Sequence, residues 1–434
     1  MPEARSRGTS RTTDAQPDAP APGPEHRKPE HRKWEHRKWE HRKPERRTML
    51  VGCLLVFTAQ MATTVYLPSL PAVQHDLGVS RSFAALSVSL FVIGAAAPVV
   101  LWGRAADRYG RRASVLAALA LFVASSALLA LNTSAWGLLV LRSVQGIGAG
   151  GAAIIARIFV RDLGGGDALA RRLSVLSIAF VTALGGGQFL GGLIGTYAHW
   201  QAGFVVLAVV GSAGALGAAT LPLHPGKGRA EQTGMIRIYL RILTVPAFLK
   251  PTVAGGLGFA TIVLLQEVAP FVFQDQFDLS VDAYGNVGLL FGLAYFAGAV
   301  MVNRLVASAG SGRLMRIGAL IMTGSGLLLI VLWLLPGVPL TAALVLFTAL
   351  YCAVTFGQAA LFPSSMAVAV SAVKDHGAYA VALCGFLAQS IAGVVATFAV
   401  LLHTNLVWAG VAAALSAPAY ALVRRDASDP TGNR

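Results

Sequence analysis

Charge is scarce in this chain. Of its 434 residues only 13% are Asp, Glu, Lys or Arg and 55% are hydrophobic, whereas a soluble domain carries about 25% charge. With a mean hydropathy of +0.63, this composition excludes an ordinary soluble domain and implies a polytopic membrane protein. Cysteine is nearly absent as well. Cys53, Cys352 and Cys384 are odd in number and lie inside apolar runs, so no disulfide framework is implied. The chain lacks a G-x-x-x-x-G-K-[ST] phosphate loop, a His or Cys cluster at metal-ligand spacing in its apolar runs, and a nucleophile beside a base. Enzyme chemistry is left without residues to perform it, and neither cofactor nor metal is expected. No additional soluble domain is expected either, which disfavours a receptor.

Long apolar runs are what the chain has instead. Twelve are long enough to cross a bilayer, near 48–68, 84–102, 113–132, 136–158, 173–197, 201–221, 249–272, 284–302, 314–335, 338–362, 378–402 and 404–423. The formal charge of +15 is confined to the N-terminal tail and to alternate loops. Arg104, Arg108, Arg111 and Arg112 follow the second run; Arg161, Arg171 and Arg172 the fourth; Lys227, Arg229, Arg237 and Arg241 the sixth. Arg304, Arg313 and Arg316 follow the eighth, Lys374 the tenth, and Arg424 and Arg425 the twelfth. On the other side stand Arg81 and three aspartates, Asp275, Asp278 and Asp282. Short basic loops stay on the inner face, so both termini are expected in the cytoplasm, in a multi-pass protein of the cytoplasmic membrane. The basic charge is topological, and no nucleic-acid partner is expected.

Residues 1–47 form a basic tail in which E-H-R-K recurs from Glu25 to Pro44. Composition reads this tail as disordered. It is too polar and too long before the first apolar run for a cleaved signal peptide. Its histidines, His26, His31, His36 and His41, recur at the same period. A solvated anchoring tail is favoured over metal binding, with Trp34 and Trp39 placed to rest among headgroups. The remaining organisation is a six-helix bundle at 48–221, a cytoplasmic linker at 222–246, a second bundle at 247–425 and a tail at 426–434. The halves carry a trace of repetition: Asn303-Arg304 and Gly310 stand 200 residues after Gly103-Arg104 and Gly110.

The loop Gly103-Arg104-Ala105-Ala106-Asp107-Arg108-Tyr109-Gly110-Arg111-Arg112 resembles the loop between the second and third helices of the major facilitator superfamily, G-x-L-x-D-R-x-G-R-R/K. Ala105 replaces the commoner leucine. The fourth run, with Arg142, Gln145, Gly146, Gly148, Gly150 and Gly151, resembles the same family's R-x-x-Q-G-x-G-A/G-A. Within the superfamily, the chain is most similar to the Bcr/CflA drug-resistance type. The likeness rests on Tyr66-Leu67-Pro68-Ser69-Leu70-Pro71, the Asp107 loop, Ala269-Pro270-Phe271-Val272, Asn303-Arg304, and Gly377-Ala378-Tyr379-Ala380 through Gly385-Phe386-Leu387-Ala388-Gln389. It implies an all-α integral membrane fold of twelve helices in two six-helix bundles, and a monomer suffices for it.

Two departures bear on mechanism. Where related drug antiporters carry G-P-x-x-G-G, this chain has Gly185-Gly186-Gly187-Gln188, so a kink is lost and a polar group gained. Where they carry an aspartate before Tyr-Leu-Pro, it has Thr64-Val65. Glu267 is then the one acidic side chain well inside an apolar run. A carboxyl in such a place favours its neutral form and can trade a proton with a gradient. Glu267 and Arg142 are the proton-coupling candidates. Candidates for substrate binding are Gln60, Tyr66, Arg142, Gln145, Gln188, Glu267, Tyr295, Gln358 and Gln389, polar or aromatic groups suited to anchoring a molecule in an apolar cavity. Gly103, Asp107, Arg108, Gly110, Arg111 and Arg112 are candidates for a latch between the halves. The expected function is export of drug-like or natural-product molecules by alternating access and proton antiport. Its partners would be an amphipathic organic substrate, protons and lipid, with the proton gradient as energy source. The alternative is a metabolite importer or uniporter of the same fold without proton coupling.

Overall fold

The computed structural model describes the backbone of residues 28–163, 166–221, 235–373, 377–399 and 404–425. Expectations for the first 27 residues, most of the linker and the last nine residues lie outside these, as do those for the side chains of the four repeat histidines and of Trp34 and Trp39. The chain divides into a short unit, Met1–Arg46, and a main body, Arg47–Arg434.

Fifteen α-helices account for nearly all of the described residues. They are α1 (Lys28–Thr64), α2 (Leu70–Asp76), α3 (Arg81–Ala96), α4 (Val99–Arg108), α5 (Arg111–Ala130), α6 (Ala135–Asp162), α7 (Gly166–Tyr197) and α8 (Ala202–Ala219), then α9 (Met235–Leu243), α10 (Pro246–Phe271), α11 (Val281–Ala309), α12 (Ser311–Leu334), α13 (Leu340–Ser371), α14 (Gly377–Ala399) and α15 (Asn405–Arg425). Eleven helices among the described residues are long and apolar enough to cross a membrane. The count becomes twelve when α3 and the end of α4, bent by 41° at Pro98, are taken as one span.

One expectation is corrected here. Helix α1 begins at Lys28, inside the tail that composition reads as disordered. Glu, Arg and Lys are good helix formers, and the repeat sets each Glu three residues before a Lys, a spacing that supports a helix.

In the first set of helices α6 packs on α3 and α5, and α5 on α8; in the second α12 packs on α13 and α15, and α10 on α13, α14 and α15. The two sets meet where α7 lies along α11 and α3 along α14. The repeat seen in the sequence is kept at matching turns. Gly110 (φ 93°, ψ 154°) opens α5 and Gly310 (φ 75°, ψ 150°) opens α12, a backbone conformation that a side chain would strain.

Glycine lets the sets approach closely. A Cβ placed on Gly192 of α7 would stand 2.7 Å from the Gly285 Cα of α11, and one on Gly292 would stand 2.9 Å from the Gly185 Cα. In lipid such contacts replace the hydrophobic effect as the force between helices. At the end of the bundle carrying Asp275, Gln274 donates to the Pro68 carbonyl (2.9 Å). Nearby, the Arg81 guanidinium lies 4.5 Å from the Phe271 ring centroid and reaches the Val268 carbonyl at 3.5 Å. This end is held shut across the two sets.

Candidate functional site

Helix α3 is the wall on which the candidate residues sort. Ser87 and Phe91, four residues apart, share one face, and Ser89 and Ile93 share the opposite one. Tyr66, at the end of the first span, meets Ser87 at 2.9 Å between hydroxyls. Ser87 itself donates to the Ala84 carbonyl (2.6 Å), so the Tyr66 hydroxyl is the donor of the pair.

On that side lies Arg142 of α6, fully buried. Its Nη1 donates to Gln145 Oε1 (2.6 Å) and to the Ala62 carbonyl (3.0 Å). Gln145 Nε2 donates onward to Ser126 Oγ (2.8 Å), tying α6 to α5. Among the described residues no carboxylate pairs with the guanidinium. Three rings do: Phe91 at 4.3 Å, Tyr66 at 4.7 Å and Phe204 at 5.9 Å from the carbon of the charged group. The negative faces of aromatic rings stabilise a cation that water cannot reach. Arg142 Nε and Nη2 have no hydrogen-bond partner. Arg142, Gln145 and Tyr66 thus form one cluster inside the first set of helices.

Glu267 of α10 belongs to the other side of the wall. Ser89 Oγ donates to its Oε1 at 2.6 Å, and Oε2 has no partner. Only 1% of Glu267 is exposed. Glu267 and Arg142, paired as proton-coupling candidates by sequence, are therefore not brought together.

Among the glutamines, Gln358 of α13 is buried and, with its amide oriented to satisfy both groups, donates to the Gly258 carbonyl (3.2 Å) and accepts from Phe259 N–H (3.3 Å). Gln188 of α7 is buried against Gly288 of α11, and its Oε1 has no partner. Gln60 on α1, Tyr295 on α11 and Gln389 on α14 are half-buried. The Tyr295 ring centroid lies 6.1 Å from that of Phe180 on α7, across the two sets.

Thr64, which stands where the family resemblance implies an acid, has a structural task. Thr64 is fully buried and donates to the Ala183 carbonyl (2.7 Å), fastening α1 to α7.

The basic loop closes on its own set of helices. Arg111 Nη1 donates to Asp107 Oδ1 (2.6 Å) and to the Ala106 carbonyl (2.9 Å), while its Nε donates to Asp162 Oδ2 at the end of α6 (3.1 Å). Arg108 stacks on its neighbour Tyr109, and both Arg108 and Arg112 are exposed. Gly110 supplies the turn, and a Cβ on Gly103 would meet nothing within 4 Å. Among the described residues no hydrogen bond or ion pair of Asp107, Arg111 or Asp162 reaches the other set, although Asp107 lies close enough to Tyr239 of α9 to act on it.

Sequence reasoning missed Ser89, Phe91, Phe204 and Ser126, and for Thr64 it missed the bond to Ala183. A serine pair spaced by two, Ser87 and Ser89, was the available signal: on a helix it presents hydroxyls to two different neighbours.

The sequence pattern of the Major Facilitator Superfamily matches residues 52–423. The chain belongs to that superfamily. Curated relatives of this major facilitator include an uncharacterised MFS-type transporter, YdgK, of Bacillus subtilis, 26% identical over 79% of this chain and 85% of its own length. The multidrug resistance protein MdtM of Salmonella typhimurium is 27% identical over 71% of this chain and 74% of its own. A chloramphenicol resistance protein, CraA, of Acinetobacter baumannii is 26% identical over 64% and 69%. These names match the Bcr/CflA drug-resistance branch that the motifs resemble. Among solved structures, a D-xylose-proton symporter aligns with a TM-score of 0.71 over 87% of this chain and 97% of its own, at 17% identity. That likeness concerns the fold of this facilitator alone.

Proposed function

We propose that this transporter exports amphipathic organic molecules by alternating access, exchanging them for protons that load Glu267. The observation that carries the reading is a buried carboxyl on α10, joined across the two sets by Ser89 and left with one oxygen unpaired. An unpaired oxygen in an apolar setting favours a proton there, and a hydrogen bond across the sets couples that proton to their separation. The resistance proteins among the relatives support drug-like substrates, and the Bcr/CflA likeness supports a monomer in the cytoplasmic membrane. With the basic loops and both termini in the cytoplasm, the end held shut is external, and the conformation is inward-facing. Arg111, Asp107 and Asp162 then act as the part of the latch that is assembled in advance, and Arg108 and Arg112 engage when the inner end closes.

One observation favours a second reading, an uncoupled importer or uniporter for a metabolite: Thr64 is committed to packing at the place where the family resemblance implies an acid. Proton release decides between them. A panel of amphipathic antibiotics and dyes is added to the purified protein in weakly buffered detergent, with Glu267→Gln alongside. Release by wild type and none by the variant is the expected result. Binding without proton release in wild type would replace antiport by the uncoupled reading.

A further inference from the structure

Helix α9 (Met235–Leu243) is amphipathic and is used on one side only. Ile238, Tyr239, Ile242 and Leu243 pack into a cluster with Phe248 of α10, Ala369 of α13, and Ala380, Leu383 and Cys384 of α14. The other side carries Arg237, Leu240 and Arg241, all exposed, with 59% of Leu240 uncovered. Neither arginine makes an ion pair among the described residues. Tyr239 fixes the helix at the basic end of the bundle: its ring stands edge-on to Tyr379 at 5.5 Å, and burial, with Tyr379 and then Asp107 nearby, pushes the Tyr239 phenol up from its ordinary value.

From this placement we propose that Arg237 and Arg241 form a binding site for the headgroups of anionic phospholipid in the leaflet against which α9 lies. A large exposed leucine between two unpaired arginines is unfavourable in water. At a membrane interface the same stripe is satisfied twice, since the leucine enters the acyl boundary while the arginines meet phosphate. The helix ends three residues before Pro246, the start of α10, whose length and apolar composition suit a membrane span, and so short a connection keeps α9 near the end of that span. Charge complementarity selects the occupant: two guanidinium groups on one stripe suit an anionic lipid over a zwitterionic one. Because the opposite face grips α14, which lies along α3 of the other set, lipid bound there steadies a helix that has to move when the two sets separate.

The test uses the full chain in nanodiscs of phosphatidylcholine with or without phosphatidylglycerol, and a photoactivatable phosphatidylglycerol as probe. In wild type the probe should crosslink within residues 235–243. The double variant Arg237→Gln/Arg241→Gln should lose roughly tenfold in that crosslink, and raised salt should weaken it in wild type. Arg237→Lys/Arg241→Lys should retain it, which separates lost charge from lost folding. Equal crosslinking by wild type and the glutamine variant, or equal loss in the lysine variant, would overturn the proposal. The N-terminal tail is present in every arm, so a preference for phosphatidylglycerol arising only from the tail would leave the 235–243 crosslink absent and count against it. No arm depends on transport, so the outcome stands apart from the export reading.

Discussion

Ser89 and Glu267, on α3 and α10, are joined by a 2.6 Å hydrogen bond across the two sets of helices. The acceptor is a carboxylate oxygen or its neutral counterpart, so the contact survives in a glutamine but the proton does not. Glu267→Gln should therefore abolish transport driven by a pH gradient while sparing substrate counterflow, with folding intact by thermal melting. Retained pH-driven transport would move the proton site elsewhere.

Arg142 joins α6 to α1 through the Ala62 carbonyl and holds Gln145, which reaches α5. Truncation in Arg142→Ala strands Gln145 Oε1 and the Ala62 carbonyl, a cost of about 2–5 kcal/mol, and empties the space between Phe91 and Tyr66. We expect a clear drop in melting temperature in detergent. Arg142→Lys should recover little of it, since an ammonium lacks the flat surface that stacks between rings.

At the shut end, α7 and α11 meet glycine on glycine. Gly192→Val would drive its Cβ against Gly285, whose Cα stands 2.7 Å from the position that Cβ would take. The variant should insert normally but separate α7 from α11. A cysteine introduced at Val281 should then react faster with a membrane-impermeant maleimide than in the Gly192 parent, and transport should fall about tenfold or more.

The basic loop gives a fourth expectation. Asp107→Asn weakens the grip on Arg111, and Asp162→Asn removes its second carboxylate. Each should slow turnover with expression unchanged, and the double variant should fall short of the product of the two, because both act through Arg111. Unimpaired transport by Asp107→Asn would remove this loop from the cycle.

Much of the fold was legible because membrane spans are written as runs of apolar residues, a signal that needs no knowledge of neighbours. Gly110 and Gly310 were legible too, since only glycine tolerates their positive φ and the surrounding basic residues mark the turn. Glu267 stood out by being alone. What could not be read was facing. Arg142 and Glu267 both looked like cavity residues, yet α3 stands between them, and which way a side chain turns depends on helices far away in sequence. Thr64 is the same lesson in reverse: an absence of acid was visible, whereas the bond to Ala183 that occupies the place was not. Helix α9 did carry a sequence signal in Arg237 and Arg241, four apart among apolar residues, but the low overall charge drew attention to the longer runs around it.

The glycine contact between α7 and α11 also bears on what the closed molecule keeps out. At Gly185–Gly292 and Gly192–Gly285 the seam is backbone against backbone, so at these two places no side chain is offered to pass a proton along, and the ionisable Tyr295 and Asp282 stand beyond them. A glycine pair of this kind closes the gap between two helices without a gate of side chains, so opening it needs the helices themselves to part.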